Sequence, residues 1–159
     1  MLIGLVGKPS CGKSTFFKAS TQADVEIASY PFTTIKANHG VGYVRIDCID
    51  RELNAKCNPK HGFCIEGQRF VPVELMDVAG LVPGASEGKG LGNQFLDDLR
   101  AADVFIHIVD TSGTTDSEGK SADNHDVTKD ILFLEEELNR WYYNILIKAW
   151  KSFARKAEI

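Results

Sequence analysis

The feature that most constrains the fold is a glycine-rich octapeptide, GKPSCGKS, which runs from Gly7 to Ser14. It fits the pattern GxxxxGK[ST]. The apolar run at residues 1–7 predicts a buried strand before it, and residues 14–19 predict a helix after it. In that context, the backbone N–H groups of the loop and the helix N-terminus converge on phosphate oxygens. The octapeptide therefore predicts a phosphate-binding loop in an α/β sheet.

Two side chains of this loop have separate roles in the interpretation. Lys13 brings a positive charge to the β- and γ-phosphates, and the hydroxyl of Ser14 is a ligand for Mg²⁺. The alternative is a glycine-rich turn that only joins a strand to a helix. The strand and helix patterns on either side disfavour that alternative.

A second motif, Asp77-Val-Ala-Gly80, follows a strand predicted at 70–76. A carboxylate at that strand end usually binds Mg²⁺ through a water. Gly80 has no Cβ, so its N–H could approach the γ-phosphate. The motif alone is also compatible with a plain turn, so its position after the phosphate loop is what gives it weight. Leu81 occupies the position where some switch proteins have a water-orienting glutamine, and its side chain can neither donate nor accept a hydrogen bond.

A third candidate lies in the loop at 20–37, which contains Thr33 and Thr34. A threonine in such a loop can bind Mg²⁺ only when a γ-phosphate is present. Taken by themselves, the two residues favour the alternative of solvated loop threonines.

The remaining elements are predicted from hydrophobic periodicity. They are strands at 39–49 and 104–109, a connector or distorted hairpin at 50–69, a helix near 93–101 and a mobile loop at 111–125. We expect a nucleotide-binding core at 1–110 and an inserted helical segment at 111–159.

The inserted segment contains one long amphipathic helix. Its apolar stripe alternates spacings of four and three residues: Val127, Ile131, Leu134, Leu138, Trp141 and Ile145. The stripe continues into a second apolar region after Tyr142 that no part of this chain is expected to cover. We therefore expect the chain to end before the fold is complete.

Composition excludes several classes of function. The net charge of −4 comes without a basic stripe, so the segment carries no signature of direct nucleic-acid binding. The chain has no apolar run of about 18 residues and no charged leader, which predicts neither a membrane span nor a signal peptide. We expect a cytoplasmic protein with reduced cysteines.

A metal site is the strongest competing idea. Cys48, Cys57, His61 and Cys64 could bind zinc, but intervals of eight, three and two residues differ from the two tight pairs of most structural zinc sites. Ordinary thiols and a surface histidine explain the residues equally well. The spacing therefore predicts no zinc.

Two longer segments carry a family resemblance. SYPFTTIKANHGV, at 29–41, and DVAGLVPGASEGKGLGNQFLDDLRAADVFIHIVD, at 77–110, resemble the two switch regions of Obg-related P-loop GTPases. The second segment is most similar to the YchF-like branch and its archaeal members. The resemblance covers 1–110, and the sequence at 110–119 with the long helix resembles an insertion in the same archaeal group.

The resemblance implies a three-layer P-loop α/β sandwich and a set of site residues. It makes Lys13, Thr34 and Gly80 catalytic and implies Mg²⁺ ligation by Ser14, Thr34 and, through water, Asp77. The full set of implied nucleotide contacts is Gly7, Lys8, Pro9, Ser10, Cys11, Gly12, Lys13, Ser14, Thr15, Thr33, Thr34, Asp77 and Gly80.

The resemblance also implies a function, which is Mg²⁺-dependent GTP hydrolysis by a molecular switch associated with the ribosome or a translation factor. The guanine-reading motif NKxD of the family does not occur in this chain, and some YchF-like relatives prefer ATP, so ATP stays open. A nucleotide-gated binding module with incidental hydrolysis is a second alternative. A small-molecule kinase would share the phosphate loop but lack the segments at 29–41 and 77–110.

Overall fold

The computed structural model describes residues 1–21, 37–87 and 97–157, which form a five-stranded mixed sheet with helices. Thr33 and Thr34, and the first part of the helix predicted near 93–101, lie outside these residues. A helical turn at 97–99 agrees with the end of that helix. Among the described helices, none has the length and apolarity needed to cross a membrane.

The elements follow the predicted order along the chain. The strands are β1 (Leu2–Val6), β2 (Asn38–Asp47), β3 (Phe63–Ile65), β4 (Gln68–Asp77) and β5 (Val104–His107). The α-helices are α1 (Lys13–Thr21) and α2 (Val127–Ala157), and two short 3₁₀ turns lie at Ile49–Arg51 and Ala85–Glu87.

Strand order in the sheet is β2-β4-β1-β5, with β3 paired to β4. β1 is parallel to both of its neighbours, whereas β2 and β3 are antiparallel to β4. Since parallel strands end at the same edge of a sheet, the segments that follow β1, β4 and β5 emerge side by side.

Alternation along the strands builds a core on each face of the sheet. Leu5 of β1 and Leu75 of β4 pack with Phe17 of α1 on one face. The next residues, Val6 and Met76, point to the other face and pack with α2 and the segment after Asp77. Two packed faces confirm the predicted three-layer α/β sandwich.

The connector predicted at 50–69 contains a strand that the sequence analysis missed. β3 and β4 form a hairpin through Glu66 and Gly67, whose φ values of 51° and 74° suit a two-residue turn of the primed type. Pro72 lies within β4 opposite Tyr43 of β2. The other edge of β4 pairs with β3 as far as Phe70 and with β1 from Glu74 onward. Pro72 lies in the gap between these two ladders, so its missing N–H interrupts neither of them.

The long helix contributes to the core mainly through its first half. Leu134 and Trp141 are buried against the sheet, with Leu138 partly buried beside them. Ile131 and Ile145 of the same predicted stripe are exposed. The division at residue 110 into a core and an inserted segment stays a prediction.

This packing predicts that two leucines of α2 differ in their effect on stability. Leu134 is 7% exposed within the core and Leu132 is 54% exposed. We expect Leu134→Ala to lower the free energy of unfolding by about 2–5 kcal/mol. Leu132→Ala, the matched control, should change it by no more than about 0.5 kcal/mol. Urea unfolding of both variants is the measurement, and equal losses would contradict the packing of α2.

Candidate nucleotide-binding site

The glycine-rich loop joins the end of β1 to the start of α1, and its lysine folds back into it. The ammonium of Lys13 donates to the carbonyl oxygens of Gly7 at 3.2 Å and Lys8 at 2.7 Å. Burial lowers the pKa of Lys13, with the nearby Cys11 and Asp77 acting in the opposite direction. Carbonyl dipoles are weaker counter-charges than a phosphate, so the geometry holds a cation ready for an anion in the loop.

Two of the three predicted magnesium ligands, Ser14 and Asp77, meet across the sheet edge. Ser14 Oγ donates to Asp77 Oδ2 at 2.6 Å, although the residues are 63 positions apart. Asp77 is fully buried at the carboxyl end of β4, next to the end of β1. A hydroxyl and a carboxylate are the hard oxygen ligands that Mg²⁺ prefers, so this pair fits the ion that the family implies.

The segment after Asp77 is tied to the phosphate loop through its backbone. Leu81 N donates to Gly7 O at 3.0 Å. A Cβ on Gly80 would lie 2.6 Å from Pro9 Cα, so only glycine permits this approach. The two loops are therefore in direct backbone contact.

Leu81 has a packing role that its sequence position did not reveal. Its side chain is 1% exposed and belongs to the core cluster that includes Val6 and Met76. An aliphatic side chain can neither donate nor accept a hydrogen bond, and this one packs in the core and stabilises the fold.

The side chain of Lys8 contacts α2 and the segment at 111–125. The side chain is 1% exposed, and its ammonium lies 2.8 Å from Asp130 Oδ2 on the first turn of α2. The same ammonium donates to Thr115 O at 2.7 Å. The segment at 111–125, which we expected to be mobile, is thus attached to the phosphate loop.

Asp130 collects three polar partners in this buried position. Its Oδ1 lies 2.8 Å from His125 Nε2 and accepts from Ser117 Oγ at 3.1 Å, in addition to the Lys8 contact. Burial opposes ionisation, but the bonds from Lys8, His125 and Ser117 outweigh it and hold the pKa of Asp130 below its usual range. The ion pair between Lys8 and Asp130 thus links the phosphate loop to α2.

A second carboxylate of α2 holds the segment after Gly80. The buried Glu137 accepts hydrogen bonds from Gly84 N at 2.6 Å and Ser86 N at 2.9 Å. Burial opposes ionisation here as well, and the two backbone N–H groups keep the pKa of Glu137 low. Asn144, two turns further on, donates to Ser86 O at 3.2 Å. The helix therefore contacts both the phosphate loop and the segment that follows Asp77.

The structure brings together the predicted residues from the glycine-rich loop and from Asp77 to Gly80. Thr15 is exposed on α1, and Ser10 has a left-handed φ of 59° at the tip of the loop. Sequence reasoning missed Asp130 and Glu137, because acidic residues on an amphipathic helix usually lie on its solvated face. The one available signal was their helical spacing of seven residues, which places both on the side of Leu134 and Trp141.

The ion pair predicts a stability difference that depends on pH. Asp130→Asn leaves Lys8 buried without its counter-charge, and we expect a loss of about 3 kcal/mol in unfolding free energy at pH 7. A folded pKa below the unfolded value of about 3.9 stabilises the fold above that pH, and the stabilisation disappears as pH falls through the folded pKa.

The measurement is urea unfolding of both proteins from pH 7 down to pH 3. The gap between wild type and variant should stay constant to about pH 5 and narrow below about pH 4. Asp123→Asn, at an exposed position, is the control and should match the wild type throughout. A gap that widens in acid would contradict the ion pair.

Comparison with known proteins agrees with this geometry. Residues 2–147 match the family described as 50S ribosome-binding GTPase. A GTP-binding protein of Methanocaldococcus jannaschii is 55% identical over 157 residues, which are 99% of this chain and 40% of that protein. The ribosome-binding ATPase YchF of Mycoplasma genitalium is 45% identical over 106 residues, 67% of this chain and 27% of its own. GTPase Obg of Caldicellulosiruptor saccharolyticus is 40% identical over 139 residues, 87% and 25% of the two chains.

A solved structure gives the same result for the fold. The crystal structure of a GTP-binding protein from Pyrococcus horikoshii superposes with a TM-score of 0.72 at 41% identity, covering 98% of this chain and 37% of that one. The chain thus spans about two fifths of the length of these two archaeal proteins. The expected kinship with Obg and with YchF-like proteins, archaeal ones included, is confirmed, and the chain belongs to the 50S ribosome-binding GTPase family of P-loop proteins.

Proposed function

We propose that this chain is the part of a Mg²⁺-dependent GTPase that binds the phosphates of GTP and switches conformation when GTP is hydrolysed. The observation that carries the proposal is the 2.6 Å contact between Ser14 Oγ and Asp77 Oδ2, beside the buried Lys13 ammonium. Two motifs far apart in sequence thereby supply a hydroxyl, a carboxylate and a cation at one sheet edge. That combination serves a metal–triphosphate complex.

Each side chain has a defined task in this proposal. Lys13 exchanges its carbonyl partners for phosphate oxygens, and the loop backbone from Gly7 to Gly12 surrounds the same phosphates. Ser14 would ligate Mg²⁺ directly, Asp77 through a water, and Thr34 when a γ-phosphate is bound. When bound there, Mg²⁺ neutralises phosphate charge that would otherwise repel an attacking oxygen.

The contacts of the segment after Asp77 support a switch. Gly80 would bring its N–H to the γ-phosphate, and the adjacent Leu81 N donates to Gly7 O. Gly84 and Ser86 lie four and six residues after Gly80, and their backbone N–H groups donate to Glu137 of α2. A displacement of Gly80 on phosphate release would therefore reach α2 through a short, hydrogen-bonded path.

The names of the relatives support the nucleotide and the partner. Similar proteins are described as GTP-binding or as ribosome-binding, so we propose GTP as the nucleotide and the ribosome or a translation factor as the partner. Ribosomes act in the cytoplasm, which is the compartment we expect. A nucleotide-gated binding module would use the same surface with hydrolysis as a side reaction, and stimulation of turnover by ribosomes would speak against it.

ATP is the second candidate nucleotide. The YchF relative is described as an ATPase, and it is 45% identical over 106 residues, which are 67% of this chain. Phosphate contacts are the same for both nucleotides, so the proposed site serves either one. Parallel titrations of the full-length chain with GTP and ATP decide between them.

The first test of the function removes the loop cation. Lys13→Ala should weaken binding of a GTP analogue that cannot be hydrolysed by at least about tenfold, since a charge-assisted contact is worth about 1.5–3 kcal/mol. Lys18→Ala, which removes an exposed lysine of the same helix, is the matched control. Calorimetric titration of the full-length chain with Mg²⁺ present is the measurement. Equal affinity of Lys13→Ala and wild type would rule out phosphate binding at this loop.

The second test concerns rate. No group at Leu81 can orient water, so intrinsic turnover should be slow, about 10⁻³ to 10⁻² s⁻¹ or lower, as in unassisted switch GTPases. Single-turnover hydrolysis by full-length protein without partners is the measurement. A rate above about 1 s⁻¹ would show that the chain itself supplies a water-orienting group.

Leu81→Ala separates the packing role of this residue from a chemical one. Because the side chain is buried, the variant should lose about 2–5 kcal/mol of stability. At a temperature where it remains folded, its turnover should differ from wild type only a few-fold. A collapse in turnover by folded protein would contradict this account of the switch.

A further inference from the structure

Three cysteine side chains converge at the end of the sheet opposite the nucleotide site. Cys48 follows β2, Cys57 lies in the connector before β3, and Cys64 lies within β3. Their Sγ atoms all lie within 4.8 Å of one another. We propose that this cluster is a zinc site, in which the three thiolates hold the connector at 52–62 onto the sheet.

The geometry is close to that of a tetrahedral thiolate site. Zinc–sulfur bonds of about 2.3 Å place the sulfur atoms about 3.8 Å apart, so the cluster needs to contract by about 1 Å or less. Reduced thiolates are soft ligands that select zinc over magnesium. The unequal spacing in sequence, which argued against zinc, loses its force because the β3–β4 hairpin returns Cys64 to the end of β2.

Polar groups around the sulfur atoms suit a bound cation. Asp50 Oδ2 accepts from Cys64 Sγ at 3.8 Å, and Asp50 Oδ1 is buried without a hydrogen-bond partner among the residues that the structure describes. Asp50 lies outside the group of three cysteines, but its contact with Cys64 makes it a candidate for a fourth ligand. Arg69 Nη1 lies 3.9 Å from Cys57 Sγ, and its Nη2 donates to His61 O, so it would balance the negative charge of three thiolates. His61 itself does not belong to the cluster.

The connector at 52–62 has no buried residue of its own that would hold it in place. Leu53 is exposed to solvent. Ordering such a segment costs about 1–2 kcal/mol per residue, which an apolar core usually offsets. Of its residues only Cys57 and Pro59 are half-buried, and the thiol of Cys57 attaches the middle of the connector to the other two cysteines.

The site is separate from the magnesium site of the proposed function. Cys64 is in register with Arg69, and Asp77 lies eight residues further along β4, which is about 26 Å of extended strand. Loss of zinc should therefore loosen the connector without changing nucleotide affinity. Failure of either proposal leaves the other intact.

The experiment measures metal in the full-length chain, purified under reducing conditions without a metal-affinity step. We expect about one zinc per chain by elemental analysis in wild type, and in Cys11→Ser, the matched control that removes the remaining cysteine. Cys57→Ser and Cys64→Ser should contain less than about a tenth as much. Absence of zinc from wild type, or equal zinc in all four proteins, would overturn the site.

A second measurement keeps the test independent of how the variants fold. Wild type stripped with a chelator and titrated with Co²⁺ should develop a thiolate-to-cobalt charge-transfer band, with visible absorption typical of a tetrahedral ion, saturating at one equivalent. Zinc added afterwards should abolish both. Failure to develop the band would overturn the proposal.

Discussion

The arrangement of the site depends on β1 lying between two parallel partners. β4 and β5 both run alongside it, so the chain leaves all three strands at one edge of the sheet. The glycine-rich loop follows β1 and Asp77 ends β4, which is why Ser14 Oγ reaches Asp77 Oδ2 across 63 residues of sequence. Leu5 packs on one face of the sheet and Val6 on the other, so a slip of one residue would exchange their places in the two cores.

Two buried carboxylates of α2 extend this arrangement beyond the sheet. Asp130 binds Lys8 of the phosphate loop, and Glu137 binds the backbone of Gly84 and Ser86 after Gly80. Buried charges are costly unless they are paired, so α2 has few alternative positions that satisfy both. The helix therefore contacts both segments that the proposed γ-phosphate would touch, and a change in their separation would strain one of these contacts.

Local patterns in the sequence predicted the phosphate loop, most of the strands and the long helix. The conformation of the phosphate loop depends on residues close together in sequence, so the motif from Gly7 to Ser14 was enough to predict it. The roles of Lys8 and Asp130 could not, because they depend on a contact between segments more than 100 residues apart. The cysteines were recognised as possible zinc ligands, but their spacing argued against zinc, because the three thiols meet only after the β3–β4 hairpin forms. Leu81 could be recognised in the motif from the sequence, but its burial follows from packing that no short pattern describes.

The most direct test of the central claim is a crystal structure of the full-length chain with Mg²⁺ and a GTP analogue that cannot be hydrolysed. The account predicts phosphate oxygens inside the loop at 7–14, with Lys13 Nζ moved from the carbonyl oxygens of Gly7 and Lys8 onto them. Mg²⁺ should lie at Ser14 Oγ, in place of the hydrogen bond to Asp77. Nucleotide bound elsewhere, with the contacts of Lys13 and Ser14 unchanged, would contradict the account.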